Sequence, residues 1–207
     1  MKREKLDLHH QELLYQRLRS IAVPLSEYTF PNLYLFRRNH GYEVIEDRDI
    51  FIKGTSYDGR SYIMPTADVR SLDISYLKDM MRTVDFLFPV PEEWLPAFNP
   101  DEFEITFAEG DADYEYTVEK MSTLKGRNLH KKRNLLKQFL ERYKHEALPL
   151  TNDRLDHARF ILEDWIATSE MKADDTDFGP CGEALDLYEK LVLCGGIYYA
   201  DDPPRSH

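Results

Sequence analysis

Three short runs of β-forming residues follow one another between residues 42 and 64, and they constrain the fold more than any other feature of the chain. Turn-like residues at 47–48 and 58–59 separate the runs, which are Tyr42–Ile45, Asp49–Lys53 and Ser61–Met64. Short alternating runs that are joined by such turns are typical of antiparallel hairpins. The sequence therefore predicts an antiparallel meander over residues 42–64.

Apolar residues recur at helical spacing on both sides of this meander. The predicted helices are 4–21, 31–39, 71–87, 128–144, 153–170 and 182–194. Alternation at Phe103–Phe107, continued at Tyr114 and Tyr116, predicts a fourth strand with one solvated face. Helices that flank a mixed, mostly antiparallel sheet predict an α+β fold.

The end of the chain does not complete a second domain in this pattern. After residue 150 the sequence predicts two helices and one strand, Ile197–Ala200. A lone strand cannot close a sheet or cover both helices, and Pro203 and Pro204 donate no hydrogen bonds to a returning strand. The sequence therefore predicts a complete domain over 1–145 and the incomplete start of a second over 146–207.

Charge and cysteine content narrow the functional classes. The net charge of −11 argues against a general nucleic-acid binder. No apolar run is long enough for a spanning helix, and the first ten residues lack the apolar core of a signal peptide. If the chain between Cys181 and Cys194 is helical, the two lie roughly 20 Å apart and cannot form a disulfide. These features predict a reduced, cytoplasmic protein.

Charges are segregated between residues 101 and 144. Eight acidic residues and no Lys or Arg occupy 101–119, whereas eight basic residues and only Glu141 occupy 125–144. Gly126 followed by a cationic helix start can hold phosphate. The candidate binding residues are Lys125, Arg127, His130, Lys131, Lys132, Arg133 and Asn134. The alternative is a solvated helix face that the acidic stretch balances.

A second candidate pocket lies in the aromatic segment 29–38, where Tyr34 and Arg37 are the predicted ligand-binding residues. The alternative is that the aromatic residues belong to the core and that Arg37 and Arg38 are exposed.

The sequence offers few other candidates for chemistry. His9 and His10 lie near Glu12, but adjacent helical residues point in different directions, so the sequence predicts no metal site. Motifs for a nucleophilic serine or cysteine, a P-loop or a dinucleotide cofactor are absent from the sequence. The catalytic residues are therefore unknown at this stage, and no cofactor is evident.

Two of these segments resemble a bacterial family of uncharacterised function that is related to the C-terminal domain of phosphatidylglycerol lysyltransferase. They are Ser26–Arg37, which reads SEYTFPNLYLFR, and Leu124–Asn134, which reads LKGRNLHKKRN and is followed by Phe139. The resemblance extends over nearly the whole chain, including the run CGGIYY that begins at Cys194. Phe36 stands where relatives often have tryptophan.

The resemblance implies two tandem folds of the acyl-CoA N-acyltransferase (GNAT) type. It also implies transfer of an acyl or aminoacyl group, with acyl-CoA or aminoacyl-tRNA as donor, a lipid hydroxyl as acceptor, and tRNA or another polyanion as partner. Two features of relatives are absent here: a region like Asn-x-Glu-x-Asp-Leu-Gly and the glycine-rich turn for the coenzyme pyrophosphate.

These absences predict an aminoacyl- or acyltransferase-like protein that is inactive as this truncated chain and self-associates through the incomplete second GNAT-like half. Whether the chain is an enzyme stays open at the level of sequence. The alternatives are a non-enzymatic RNA- or anion-binding module built on 125–137 and a structural remnant without activity.

Overall fold

The computed structural model describes residues 1–173 and 176–201. The chain packs into two compact units, a first unit Met1–Asp113 and a second unit from Tyr114 onward. This division does not show whether either unit is a complete fold. The predicted domains 1–145 and 146–207 therefore remain predictions. The prediction that no strand returns at 203–207 lies outside the described residues.

The first unit contains a five-stranded sheet in the order β1-β2-β3-β4-β5. Neighbouring strands are antiparallel except for β4 and β5, which run parallel. The elements are β1 (Lys2–Lys5), α1 (Gln11–Arg19), α2 (Phe30–His40), β2 (Glu43–Glu46), β3 (Ile50–Thr55), β4 (Ser61–Pro65), α3 (Ile74–Met81) and β5 (Phe86–Leu87). Both the predicted α+β class and the predicted meander are confirmed.

The centre of this sheet is buried on both faces. Val44 lies opposite Ile52, which lies opposite Met64, and all three are at most 1% exposed. The other face carries Phe51, which is fully buried and whose ring meets the Tyr76 ring of α3 at 5.9 Å. Burial on both sides makes the meander the core of the first unit.

A glycine in β3 allows two tyrosines to meet across the sheet. Gly54 lies opposite Tyr62, and Tyr42 lies one residue before the pair Glu43 and Lys53. The Tyr62 hydroxyl donates a hydrogen bond of 3.1 Å to the Tyr42 hydroxyl. A Cβ atom at Gly54 would come within 2.7 Å of both tyrosine rings. Only glycine therefore fits at this position without displacing a buried ring.

A proline at the start of α2 and a glycine at its end explain where this helix begins and ends. Pro31 lies in the first turn of the helix, where its missing N–H costs nothing. Gly41 ends the helix with a left-handed backbone, φ 59°, and donates to an α2 carbonyl.

Three predictions for the first unit were wrong in type or extent. The predicted helix 4–21 begins instead with β1, because Glu4 pairs with Val44 in the sheet, and the helix itself starts at Gln11. The predicted helix 71–87 shrinks to α3 and ends in β5. Residues 103–107 are irregular and pair with no strand that the structure describes, and Phe107 is 82% exposed.

The second unit consists of short helices and a two-stranded sheet. Its elements are α4 (Val118–Thr123), α5 (His130–Arg142), β6 (His145–Pro149), α6 (Leu155–Thr168), α7 (Phe178–Asp186) and β7 (Gly196–Ala200). The prediction of a lone strand was wrong, because β6 pairs antiparallel with β7. The predicted helix 182–194 lies partly in α7 and partly in the turns that follow, and Cys181 and Cys194 are free thiols.

The second unit has a much smaller core than the first. Among the residues that the structure describes there, the buried apolar side chains are Leu155, Leu191 and Ile197, of which only Leu191 is fully buried. Helix α5 has no buried residue, and Leu136 and Leu140 of its apolar stripe are 47% and 43% exposed. The second unit therefore leaves apolar helix surface in contact with water.

Within the described ranges, no helix has the length and apolar character needed to cross a lipid bilayer.

We expect Gly54→Ala to lower the free energy of unfolding by about 1–3 kcal/mol, because the new methyl group overpacks the Tyr42–Tyr62 contact. Chemical denaturation measures this loss. Gly110→Ala is the matched control: a Cβ there meets nothing within 4 Å. Its effect should stay within about 0.5 kcal/mol, as for most surface substitutions. Equal stability of the two variants would show that the tyrosine rings tolerate the methyl group.

Candidate functional site

The predicted basic residues lie together at the start of α5. Lys125 and Gly126 connect α4 to a 3₁₀ turn, Arg127–Leu129, which leads directly into α5. Neither the 3₁₀ turn nor α5 has a side-chain cap on its N-terminal residue, and neither has an acidic residue in its first turn. The backbone N–H groups and the helix dipole therefore present positive potential at this end of the helix.

Arg133 has a structural role in this segment. Its guanidinium donates to the backbone carbonyl of Leu124 and, at 2.9 Å, to that of Gly126. Leu124 has a left-handed backbone with φ 48°, and Gly126 has φ 111°, so the loop turns sharply between the two helices. The side chain of Arg133 thus holds the loop in place from the second turn of α5.

The other cations of the segment face solvent. Lys125, Arg127, His130, Lys131, Lys132 and Asn134 are exposed. Lys125 lies 3.8 Å from the Glu119 carboxylate, an exposed pair that contributes little to stability. Within residues 1–173 and 176–201, no carboxylate lies within 4 Å of the Arg127, Lys131 or Lys132 side-chain nitrogens. Three unneutralised cations at an uncapped helix start can hold a polyanion by charge and by hydrogen bonding.

Tyr34 and Arg37 lie in the first unit, on α2. Tyr34 is buried, 5% exposed, and its ring stacks on Phe30 at 5.9 Å. The Arg37 guanidinium lies 3.7 Å from the centre of the Tyr34 ring and donates to the Tyr34 carbonyl at 2.5 Å. Arg37 is half-buried and Arg38 is exposed. This geometry holds Arg37 against the helix, and the assignment of either residue to a ligand pocket stays a prediction.

A cluster of ionisable groups that the sequence analysis did not identify surrounds Glu27. Burial raises the pKa of the half-buried Glu27 carboxyl, and the negative charge of Asp113 raises it further. Asp113 accepts from the Ser26 backbone N–H at 2.8 Å. The charge of Glu27 in turn adds to the effect of burial on two buried tyrosines: the pKa of Tyr42 is raised, and that of Tyr62 is raised to about 12.

This Glu27 cluster can keep a proton at a pH where an ordinary glutamate has lost it. Perturbed carboxyl groups of this kind are frequent at functional sites. The sequence signal was weak, because Glu27 is separated from Asp113 by most of the first unit and only folding brings them together. The sequence indicated Glu27 only through its position in the motif 26–37.

Comparison with known proteins places the chain in a family. Residues 19–205 match a family model described as the C-terminal domain of phosphatidylglycerol lysyltransferase. The chain is similar to the crystal structure of a conserved protein of unknown function from Bacteroides thetaiotaomicron VPI-5482, with a TM-score of 0.78 and 20% sequence identity. The match covers 97% of this chain and 72% of that one. At this identity the likeness supports the fold alone. No curated protein matches the chain.

We expect the Glu27 carboxyl to make stability depend on pH. Below its usual pKa near 4.5 the group is protonated in the folded and the unfolded chain, and its contribution is complete. As the pH rises, the unfolded chain ionises first, so this contribution is lost by the time the pH passes the raised pKa of the folded state. Thermal denaturation between about pH 4 and pH 8 should show this loss in the wild type and not in Glu27→Gln. Glu12→Gln, at an exposed glutamate of α1, is the control, and a Glu27→Gln profile that matches it and the wild type would contradict the assignment.

Proposed function

We propose that this chain, which belongs to the family of phosphatidylglycerol lysyltransferase C-terminal domains, is an aminoacyl- or acyltransferase-like protein that binds a phosphate-bearing partner at the basic start of α5. One observation carries the proposal. Three exposed cations at an uncapped helix start have no carboxylate partner among the described residues, in a protein whose net charge is −11.

The chemistry of the cation cluster suits a nucleic-acid backbone or a coenzyme phosphate. Arginine and lysine at a helix N-terminus recognise phosphate oxygens through charge-assisted hydrogen bonds. Aminoacyl-tRNA and acyl-CoA both carry such groups, and of the two we favour aminoacyl-tRNA because the family name refers to a lysyl transfer. A tRNA donor sets the reaction in the cytoplasm of a bacterium, with a lipid hydroxyl as the acceptor.

We further propose that residues 1–145 form a complete GNAT-like half and that residues 146–207 are the incomplete start of a second. The small core of the second unit supports this, as do the exposed Ile161 and Trp165 of α6, which are 54% and 44% exposed. A shallow, open depression lies against β6 and β7, lined by residues 147–149 and 195–198. Additional sheet strands beside β6 and β7 would cover this surface, and without them the chain is inactive and prone to self-association.

A second candidate function is a non-enzymatic RNA- or anion-binding module on residues 125–137. The same exposed cations favour it, because binding needs no acyl-transfer chemistry. Transfer of a labelled aminoacyl group from charged tRNA to vesicles that contain phosphatidylglycerol distinguishes the two. Binding of tRNA without transfer, by this chain and by a chain extended at its C-terminus, would support the module and contradict the enzyme.

We expect charge reversal at Arg127, Lys131 and Lys132 together to weaken tRNA binding by about tenfold or more at low salt, where phosphate contacts contribute most. The slope of log affinity against log salt should fall by up to about 3. Arg133 is left intact because it holds the loop. The measurement is fluorescence anisotropy of labelled tRNA over a salt series.

The control for this variant reverses three exposed cations of the same unit that lie outside the segment. These are Arg142, Lys144 and Lys172. Both triple variants change the net charge equally, so a difference between them reports a local site and not the overall field. Equal loss of affinity in the two variants, or no loss in either, would contradict the proposed site.

The incompleteness of the second unit has its own test. We expect slow hydrogen exchange in β2, β3 and β4 of the first unit and fast exchange in α6, because Ile161 and Trp165 of α6 are 54% and 44% exposed and protect its amides little from opening. The measurement uses a dilute, monomeric sample so that self-association does not protect the amides. Uniform, strong protection across 150–200 would show that this region has a complete core of its own.

A further inference from the structure

Two histidines and a glutamate converge at the edge of the first unit's sheet. Glu4 lies on β1, and His9 and His10 lie in the 3₁₀ turn Leu8–His10 that follows this strand. The Glu4 Oε2 atom lies 3.5 Å from His10 Nε2 and 3.7 Å from His9 Nε2. The three ligand atoms all lie within 4.8 Å of one another.

The tight turn explains why the sequence prediction of diverging rings was wrong. The centres of the His9 and His10 rings lie only 3.9 Å apart, with an angle of 37° between the rings. Glu12, which the sequence analysis considered as a third ligand, is replaced in this group by Glu4, because the chain folds back from β1 into the turn.

His10 Nε2 is a buried polar atom without a hydrogen-bond partner. The residue is 3% exposed, and in the described part of the chain its Nε2 atom has no donor or acceptor within hydrogen-bond geometry. Leaving such an atom unpaired in the interior is unfavourable. The nearest oxygen is that of Glu4, at 3.5 Å, so the unpaired atom points into the space between the three side chains.

The backbone of Asp7 holds the other ring nitrogen of His10. The Nδ1 atom lies 3.1 Å from the Asp7 nitrogen and 3.2 Å from the Asp7 carbonyl oxygen. The Asp7 N–H donates to Nδ1 in a capping box, which leaves the proton on Nε2. A metal at Nε2 requires the other tautomer, in which Nδ1–H donates to the Asp7 carbonyl and Nε2 has a free lone pair; the carbonyl oxygen is in place for this at 3.2 Å. Histidine ligands of metals usually have this arrangement, in which a carbonyl accepts from the nitrogen that does not bind the metal.

We propose that Glu4, His9 and His10 form a binding site for a divalent transition metal of the zinc class, with a fourth position open to water. Tetrahedral zinc with ligands about 2.1 Å away needs ligand atoms about 3.4 Å apart. The two separations from Glu4 are already near this value. Two imidazoles and one carboxylate are ligands that zinc accepts in sites with an open position.

A lysine and a second glutamate lie beside the site. Lys2 lies 3.1 Å from the Glu4 carboxylate and competes with the metal for it. Glu46 lies 3.3 Å from the same ammonium group, so the ion pair between Lys2 and Glu46 can remain when Glu4 coordinates the metal. The His9 side chain is 64% exposed, so the metal and its water can enter directly from solvent.

The test is isothermal titration of the untagged full chain with Zn²⁺, followed by the same titration of variants. We expect one Zn²⁺ ion per chain and a loss of affinity of about tenfold or more in His9→Ala and in Glu4→Gln. His9 is exposed, and glutamine keeps the size of Glu4, so neither change removes a core contact. Circular dichroism confirms that each variant is folded.

His40→Ala is the matched control, because it removes a histidine of the same unit that lies outside the cluster. It should bind Zn²⁺ as the wild type does. Lys2→Ala removes the competing cation and should bind Zn²⁺ as tightly as the wild type or more tightly. The proposal is overturned if the wild type binds no Zn²⁺, or if all four variants bind it with the same affinity, as they would if scattered surface groups held the metal.

Discussion

The antiparallel pairing of β2, β3 and β4 determines the rest of the first unit. The register places Val44, Ile52 and Met64 side by side on one face and Phe51 on the other. A shift by one residue would exchange the two faces of every strand and expose the buried side chains. The same register places Gly54 beneath the Tyr42–Tyr62 hydrogen bond, so the core and the Glu27 cluster both depend on it.

The two units bury their apolar residues very differently. The first unit encloses a sheet that is covered on both faces, whereas the second has three buried apolar side chains among its described residues. Helices α5 and α6 have the amphipathic pattern of core helices but expose much of their apolar stripes. An exposed stripe of this kind is suited to a sheet or a partner surface that continues the fold.

The chemical features of the chain also divide between the units. The second unit contains the basic start of α5, where charge and helix geometry favour phosphate. The first unit contains the Glu27 cluster and the group formed by Glu4, His9 and His10. The basic segment and the group Glu4, His9 and His10 are each local in sequence, whereas the Glu27 cluster joins residues that only folding brings together.

The sequence by itself determined the α+β class, the meander, the ends of α2 and the cationic segment at 125–134. These features depend on neighbouring residues: alternation, turn residues, a proline and a glycine at helix ends, and local charge. The motif segments 26–37 and 124–134 also sufficed for the family resemblance, which the match over residues 19–205 confirms.

Only the tertiary structure decided which patterns form strands and which ionisable groups meet. Residues 103–107 alternate like a strand but remain irregular, while His145–Pro149 forms one, because a strand needs a partner edge that local sequence does not specify. The pairing of β1 with β2 likewise holds Glu4 in a strand, where the local pattern predicted a helix. Long-range hydrogen bonding and burial set these contacts, and both depend on the whole fold.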